Sequence, residues 1–221
     1  YGSVSWELTP RTNVKGGLRY EYTTSNLGTA TTTNIVNRKY GELFPTFYLS
    51  EKLTAHQSLG FSYSRRINRP SIDDLAPFTI FLDPTMLHTG NPALQPSLSD
   101  ATEITYTLKS FVLKGSYTYE AHSFASFIRL EPGTNTEVTS TGNAKHTQYF
   151  TLTASLPVTV TPWWSMQNTV TAEHQRVATD YNGFPVSRQA FDFSLNASED
   201  FSLPGDYSVE LNGVYYSPGI D

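Results

Sequence analysis

Apolar and polar residues alternate along most of this chain, and a repeat of two is the signature of a pleated strand with one apolar face. Val4, Trp6 and Leu8 alternate with Ser5 and Glu7, and Leu18, Tyr20 and Tyr22 with Arg19 and Glu21. The pattern returns with Leu43, Phe47 and Leu49, and with Leu59, Phe61 and Tyr63 against Ser58, Gly60 and Ser62. It recurs at Ile104, Tyr106 and Leu108, then Phe111, Leu113, Tyr117 and Tyr119, then Phe150, Leu152, Ala154 and Leu156. Trp164, Met166, Val170 and Ala172 follow, then Phe191, Phe193, Leu195 and Ala197, and finally Tyr207, Val209 and Leu211. No long stretch shows the wider spacing of an amphipathic helix. The chain reads as all-β, with about ten antiparallel strands.

Two regularities organise those strands. Connections alternate in length: short at 9–12, 51–54, 109–110, 157–162 and 200–206, long at 24–37, 66–99, 128–144 and 178–187. In an up-and-down sheet this puts every long loop at one end. The second regularity is charge parity: Glu7, Arg19, Glu21, Glu42, Glu103, Lys114, Glu173, Asp192 and Glu210 all fall on the polar face of their strands. Tight turns at one end, long loops at the other and one uncharged face describe a transmembrane β-barrel. Hydrocarbon offers backbone amides no partner, so such a sheet must close and keep charge off its outer face. A soluble antiparallel sandwich with one wet face also alternates. Aromatic residues near strand ends (Tyr22, Tyr40, Trp163, Trp164, Tyr207, Tyr215) match an interfacial girdle and favour the membrane.

Composition narrows the partners. Over 221 residues the net charge is -5, with no basic run, which argues against nucleic acid. Cys is absent, which excludes a disulfide framework and a thiolate metal site. No run of about 18 apolar residues could form a spanning helix. The first residue is Tyr1 and the last, Asp221, follows a strand, so the chain is expected to be a piece of something longer.

One segment breaks the alternation. Between Tyr63 and Leu94 lie Pro70, Pro77, Pro84 and Pro92, with Pro96 just beyond, and each lacks an amide donor. No regular sheet or long helix is expected through it. Its apolar residues Ile72, Leu75, Phe78, Phe81 and Leu87 predict an ordered, packed loop, since disorder requires low hydrophobicity and high charge. The runs Phe61-Ser62-Tyr63-Ser64-Arg65-Arg66-Ile67-Asn68-Arg69-Pro70-Ser71, Leu75-Ala76-Pro77-Phe78, Asp83-Pro84 and Gly90-Asn91-Pro92-Ala93-Leu94-Gln95-Pro96 resemble the outer-membrane β-barrel family of Bacteroidota TonB-dependent receptors. Gly17-Leu18-Arg19-Tyr20-Glu21-Tyr22-Thr23 and Leu43-Phe44-Pro45 resemble its earlier strands. The family's usual Leu-Lys-Pro-Glu is Leu94-Gln95-Pro96-Ser97 here.

The resemblance implies a barrel of about 22 strands with an N-terminal plug. Such a barrel imports a ligand across the Gram-negative outer membrane with energy from the TonB complex. Residues 1–221 are then one partial barrel domain, with plug and remaining strands elsewhere. The implied partners are outer-membrane lipid, the TonB complex through that plug, and an imported ligand. The alternative from a different class is a soluble β-rich binding or adhesion module.

Arg65, Arg66 and Arg69, beside Asp73 and Asp74 and with Asn91, form the candidate ligand surface. Arg presents a fork suited to anions. The same arginines could instead pair with those aspartates and pin the loop. His88 and Asp83 are two metal-ligating types without a third, which does not make a site. Asn196-Ala197-Ser198 matches a glycosylation acceptor but lies mid-strand. No nucleophile elbow, phosphate-binding glycine loop or zinc-binding histidine pair is present, so neither an enzyme nor a cofactor protein is expected.

Overall fold

A computed structural model describes residues 1–29, 31–134, 136–181 and 183–218. In chain order the elements are β1 (Gly2–Thr9), β2 (Thr12–Leu27), β3 (Val36–Thr54), β4 (Gln57–Asn68), the single-turn α1 (Ile72–Leu75), β5 (Thr79–Asp83) and β6 (Met86–Thr89). There follow β7 (Ser97–Leu108), β8 (Phe111–Ala121), β9 (Phe124–Leu130), β10 (Glu137–Asn143), β11 (His146–Thr161), β12 (Trp164–Tyr181), β13 (Phe184–Leu203) and β14 (Tyr207–Tyr216). Ten of the strands form one antiparallel sheet in the order β1-β2-β3-β4-β7-β8-β11-β12-β13-β14. Among the described residues the sheet does not close, and β1 and β14 are its two edges. It is part of a barrel wall.

The register bears out the charge parity. Ile104 stands opposite Phe61 and Gly115, Leu152 opposite Gly115 and Ala172, and Ala172 opposite Phe193, so the apolar set shares one face. Glu103 stands opposite Ser62 and Ser116, and Glu173 opposite Thr151 and Asp192, on the other. The apolar face is exposed: Leu18, Leu152, Phe193 and Leu211 all lie open. A soluble sheet would bury them, whereas a barrel presents them to lipid. We call that face outward and its opposite inward. On β13 the outward residues between polar Gln189 and Glu199 are Phe191, Phe193, Leu195 and Ala197. Ten steps of ~3.3 Å, tilted by ~40°, give an apolar band ~25 Å tall, the height of a membrane core.

Aromatic side chains mark the turn end. The rings of Trp164 and Phe201 stack 5.9 Å apart, Trp163 lies 6.3 Å from Trp164, and the Trp164 indole donates to Glu199 at 2.5 Å. Tyr40 departs from the girdle reading. It pairs with Thr23 beside the Glu21–Glu42 pair and therefore faces inward.

Several connections are shorter than the alternation predicts, because the ladders run further than the apolar pattern. β2 continues to Leu27 and β3 begins at Val36, so the 24–37 loop shrinks to the residues between them. Glu51 and Lys52 are paired strand residues and the turn is Ala55-His56. Pro157 is paired with Gln167, which moves that turn to residues 162–163. The expected long loop at 178–187 is overturned: Tyr181 pairs with Phe184, and Gly183 turns the chain at φ +81°. Residue 182 of that turn lies outside the described residues.

The long segment also departs from expectation. Short strands fit between its prolines: β5 lies between Pro77 and Pro84, and β6 between Pro84 and Pro92. They join β10 and β9 in a second sheet, ordered β5-β6-β10-β9, in which β6 and β10 run parallel. The polar connection at 128–144 thus supplies the expected small hairpin, and two loops distant in sequence make one cap. The apolar residues assigned to pack this cap are mostly open: Ile72, Phe78 and Phe81 are exposed. Leu75 is buried instead with Leu94 and Val36, beside Leu27, Ile35 and Phe124. Leu27 and Val36 share the inward face of the wall, so the cap docks against the lumen side.

One ladder stops early. β3 and β4 are paired from the turn up to Thr46 opposite Ser64. The next residue of β3 is Pro45, which has no donor to offer. Above it β3 stays with β2 as far as Val36, while β4 stays with β7 as far as Asn68. The wall forks there.

Candidate functional site at the loop end

The three arginines are separated by the pleat. Arg65 follows Tyr63 on the outward face and forms a two-bond pair with Asp100, Nε to Oδ1 at 2.8 Å and an η-nitrogen to Oδ2 at 2.9 Å. The Tyr63 hydroxyl donates to the same carboxylate at 2.5 Å. Arg66 opposes Ser99, is exposed on the inward side, and makes no ion pair among the described residues. Arg69, past the end of β4, crosses the fork to β2 and donates to Glu21 at 2.6 Å and Thr23 at 3.1 Å. Arg65 and Arg69 therefore pin the segment, but through Asp100 and Glu21 and not through Asp73 or Asp74.

Asp74 has another task. It closes a capping box on α1, accepting from the Ser71 hydroxyl at 2.7 Å and the Ser71 amide at 3.0 Å, while its own amide donates to Ser71. The Ser71 hydroxyl, aided by that amide and by Thr141, holds the Asp74 carboxyl below its usual range. Asp73 is exposed in the same turn. Asn91 is a latch: its amide donates to the Asp74 carbonyl at 2.6 Å and its side chain to the Thr141 carbonyl at 3.1 Å. Gly90 precedes it under close packing, because a Cβ there would fall 2.1 Å from the Ala76 carbonyl oxygen. Asp83 accepts from the amide and hydroxyl of Thr85 at 2.7 and 2.8 Å, a turn contact.

Three further residues hold the cap, and nothing local in the sequence names their partners. Arg38, on the inward face of β3, donates to the carbonyls of both Leu94 and Pro92, the latter at 2.6 Å. Asn143 donates to the carbonyls of Gln95 and His122 at 2.9 and 2.8 Å and accepts from the Gln95 amide at 2.7 Å. Glu21 was legible as an inward carboxylate, but its partner lies 48 residues away. Alternation alone could have placed Arg38 inward, since it shares parity with Glu42.

Beneath the cap the fork opens a cleft of about 540 Å³, lined among others by Arg38, Tyr40, Glu42, Ile67, Pro96 and Leu98. Further down the inward wall are an Arg19 guanidinium 5.0 Å above the Phe44 ring and a Lys114–Glu103 pair at 2.9 Å. Such a surface offers charge, hydroxyls and aromatic faces to a polar solute. Among the described residues no group of three or more His, Asp or Glu is placed to hold a metal ion.

Solved structures share this architecture. The siderophore receptor PirA from Pseudomonas aeruginosa superposes with a TM-score of 0.71 over 99% of this chain and 39% of its own, at 16% identity. A Serratia marcescens hemophore receptor HasR, in complex with its hemophore HasA and heme, gives 0.57 over 97% and 44% at 14% identity. The copper transporter OprC gives 0.58 over 97% and 46% at 9% identity. The chain therefore spans less than half the length of each, and at these identities the likeness is one of fold. No curated protein matches in sequence. The outer membrane protein beta-barrel family matches residues 1–221, the whole chain. With an apolar face turned to lipid, a charged face turned inward and that match from end to end, the chain belongs to the outer membrane protein beta-barrel family, in the Gram-negative outer membrane.

Proposed function

We propose that this chain is part of the barrel of a Bacteroidota-type TonB-dependent receptor, importing a ligand past the inward face and drawing energy through a plug domain that contacts the TonB complex. The observation that carries the reading is parity: Arg19, Glu21, Glu42, Glu103, Lys114 and Glu173 all point inward, lining a polar conduit, while the opposite face is apolar and open. Receptors and a transporter of the same fold support it. The cap docked on the inward face is the ligand-contacting surface. Arg66 beside it and Asp73 within it are exposed charges with no ion pair among the described residues, whereas Arg69, Asp74 and Asn91 set its shape.

The test uses the intact protein in outer membranes. The probes are a ferric siderophore, heme and copper ion, the cargoes named for the structural neighbours. Deleting residues 72–90 should reduce probe binding while the barrel still assembles, read as a mobility shift on unheated gels. Binding unchanged by the deletion would make the cap structural only. Uptake that survives collapse of the proton-motive force would remove the TonB requirement. Clean monomeric behaviour in plain buffer would favour a soluble binding or adhesion module.

A further inference from the structure

The outward face carries a hollow that a plain wall does not need. Side chains shrink at Gly115 on β8 and Ala172 on β12, and larger ones rise around them at Ile104, Tyr117, Phe150 and Phe191. The result is a hollow of about 530 Å³ open to the lipid side. A Cβ on Gly115 would meet nothing within 4 Å, so the glycine is not making room for a neighbour in this chain. Tyr117 and Phe150 form an aromatic wall, with ring centroids 4.6 Å apart, and His174 lies 6.4 Å from Phe150 at the upper rim.

Above the hollow the outward face turns polar in register. Tyr119 stands opposite Gln148, Gln148 opposite Arg176, and Arg176 opposite Gln189. Arg176 follows His174 by two residues on the same face, ~6.6 Å further along the strand. Two other outward charges on this side are satisfied within the chain. Arg65 is neutralised by Asp100, and Asp180 is paired with Lys145 at 2.8 Å. Arg176 is exposed, donates only to the Ser187 hydroxyl at 3.2 Å, and has no carboxylate at ion-pair distance among the described residues. A bare guanidinium above a lipid-facing apolar surface draws its counter-charge from the membrane, and a phosphate matches its fork.

We propose that this face holds one phosphate-bearing membrane lipid, an acyl chain in the Gly115–Ala172 hollow and its phosphate on Arg176, flanked by Gln148 and Tyr119. The two halves are needed together. An apolar hollow alone would take any hydrocarbon, and a cation alone would attract anionic headgroups without retaining one. Stacked one above the other on a single outward face, they select an amphiphile with its charge uppermost.

The test is native mass spectrometry of the intact protein released from nanodiscs containing equal phosphatidylglycerol and digalactosyl diacylglycerol with the same acyl chains. Wild type should retain one phosphatidylglycerol in preference to the uncharged lipid. Arg176→Gln should lower that preference about tenfold, the loss of one charge-assisted contact, while total lipid stays the same. Gly115→Leu fills the hollow and should reduce retention of both lipids. If Gly115→Leu fails to shift on unheated gels, Ala172→Leu fills the same hollow from another strand. Unchanged retention and preference in the variants would overturn the proposal. So would inorganic phosphate abolishing the preference while leaving lipid bound, since Arg176 would then serve free anions.

Discussion

The wall and the cap are stabilised by different means. In the wall long backbone ladders join the strands, interrupted only where β3 and β4 part, and most of its large apolar residues face outward unburied. In the cap ladders are short, down to the three pairs joining β6 to β10, and a small cluster around Leu75, Leu94 and Val36 is buried. Side-chain bonds from Arg38, Arg69, Asn91 and Asn143 complete it. The wall relies on its solvent, the cap on its own contacts. Changes to face polarity should therefore matter in the wall, and changes to single contacts in the cap.

The largest expected effect tests the wall. Replacing outward Leu152 or Phe193 by Arg should destabilise the assembled protein by roughly 2–4 kcal/mol near mid-membrane, and the same change at inward Thr153 or Ser194 by much less. Reversible unfolding from lipid vesicles in denaturant measures both. Equal effects on the two faces would erase the distinction between wall and cap. Next, Leu94→Ala should cost about 2 kcal/mol, the lower end for a buried leucine because the cluster around it is small. The loss should appear as faster hydrogen exchange across 72–96 with the wall ladders unchanged. Faster exchange throughout would mean that the two regions unfold as one.

A smaller effect is expected at α1. Ser71→Ala removes the cap that Asp74 reciprocates and should cost about 1 kcal/mol, confined to the cap. The smallest effect is one of acidity. The Asp74 carboxyl is held below its ordinary value of 3.8, so its contribution is fully present above that value and is lost as pH falls through the folded value. Exchange within α1 should rise only in that acidic range, and Asp74→Asn should remove the pH dependence.

The strands, their faces and the charge parity were legible because period-two alternation is a local property of neighbouring residues. The ends of the strands were not. Glu51, Pro157 and Asp180 look like turn residues, and each is held in a ladder by a partner strand. The arginine partners failed for a related reason. Asp73 and Asp74 are near Arg69 in sequence, but the pleat sends Arg65 outward and Arg69 across to β2. The joint sheet of β5, β6, β9 and β10 depends on β6 meeting β10 about 50 residues later, a non-local pairing with no sequence period of its own. The cap's core differs from the expectation because hydrophobicity alone does not distinguish Leu75, buried with Leu94 and Val36, from Phe81, which lies open.

The end of the β3–β4 ladder gives the rim a mechanical property. Below Thr46 and Ser64 any force across the wall is shared by many backbone bonds and the strands move together. Above it, β2 and β3 form one leaf and β4 with the strands that follow it another, and the described ties between them are side chains: Arg69 to Glu21 and Thr23, and Arg38 to Pro92 and Leu94. Those ties run from the wall to the cap and its root and act as tendons across a hinge. A pull on the cap would therefore spread the two leaves at the rim while leaving the wall below the fork rigid, turning a contact on the cap into a wider gap between them.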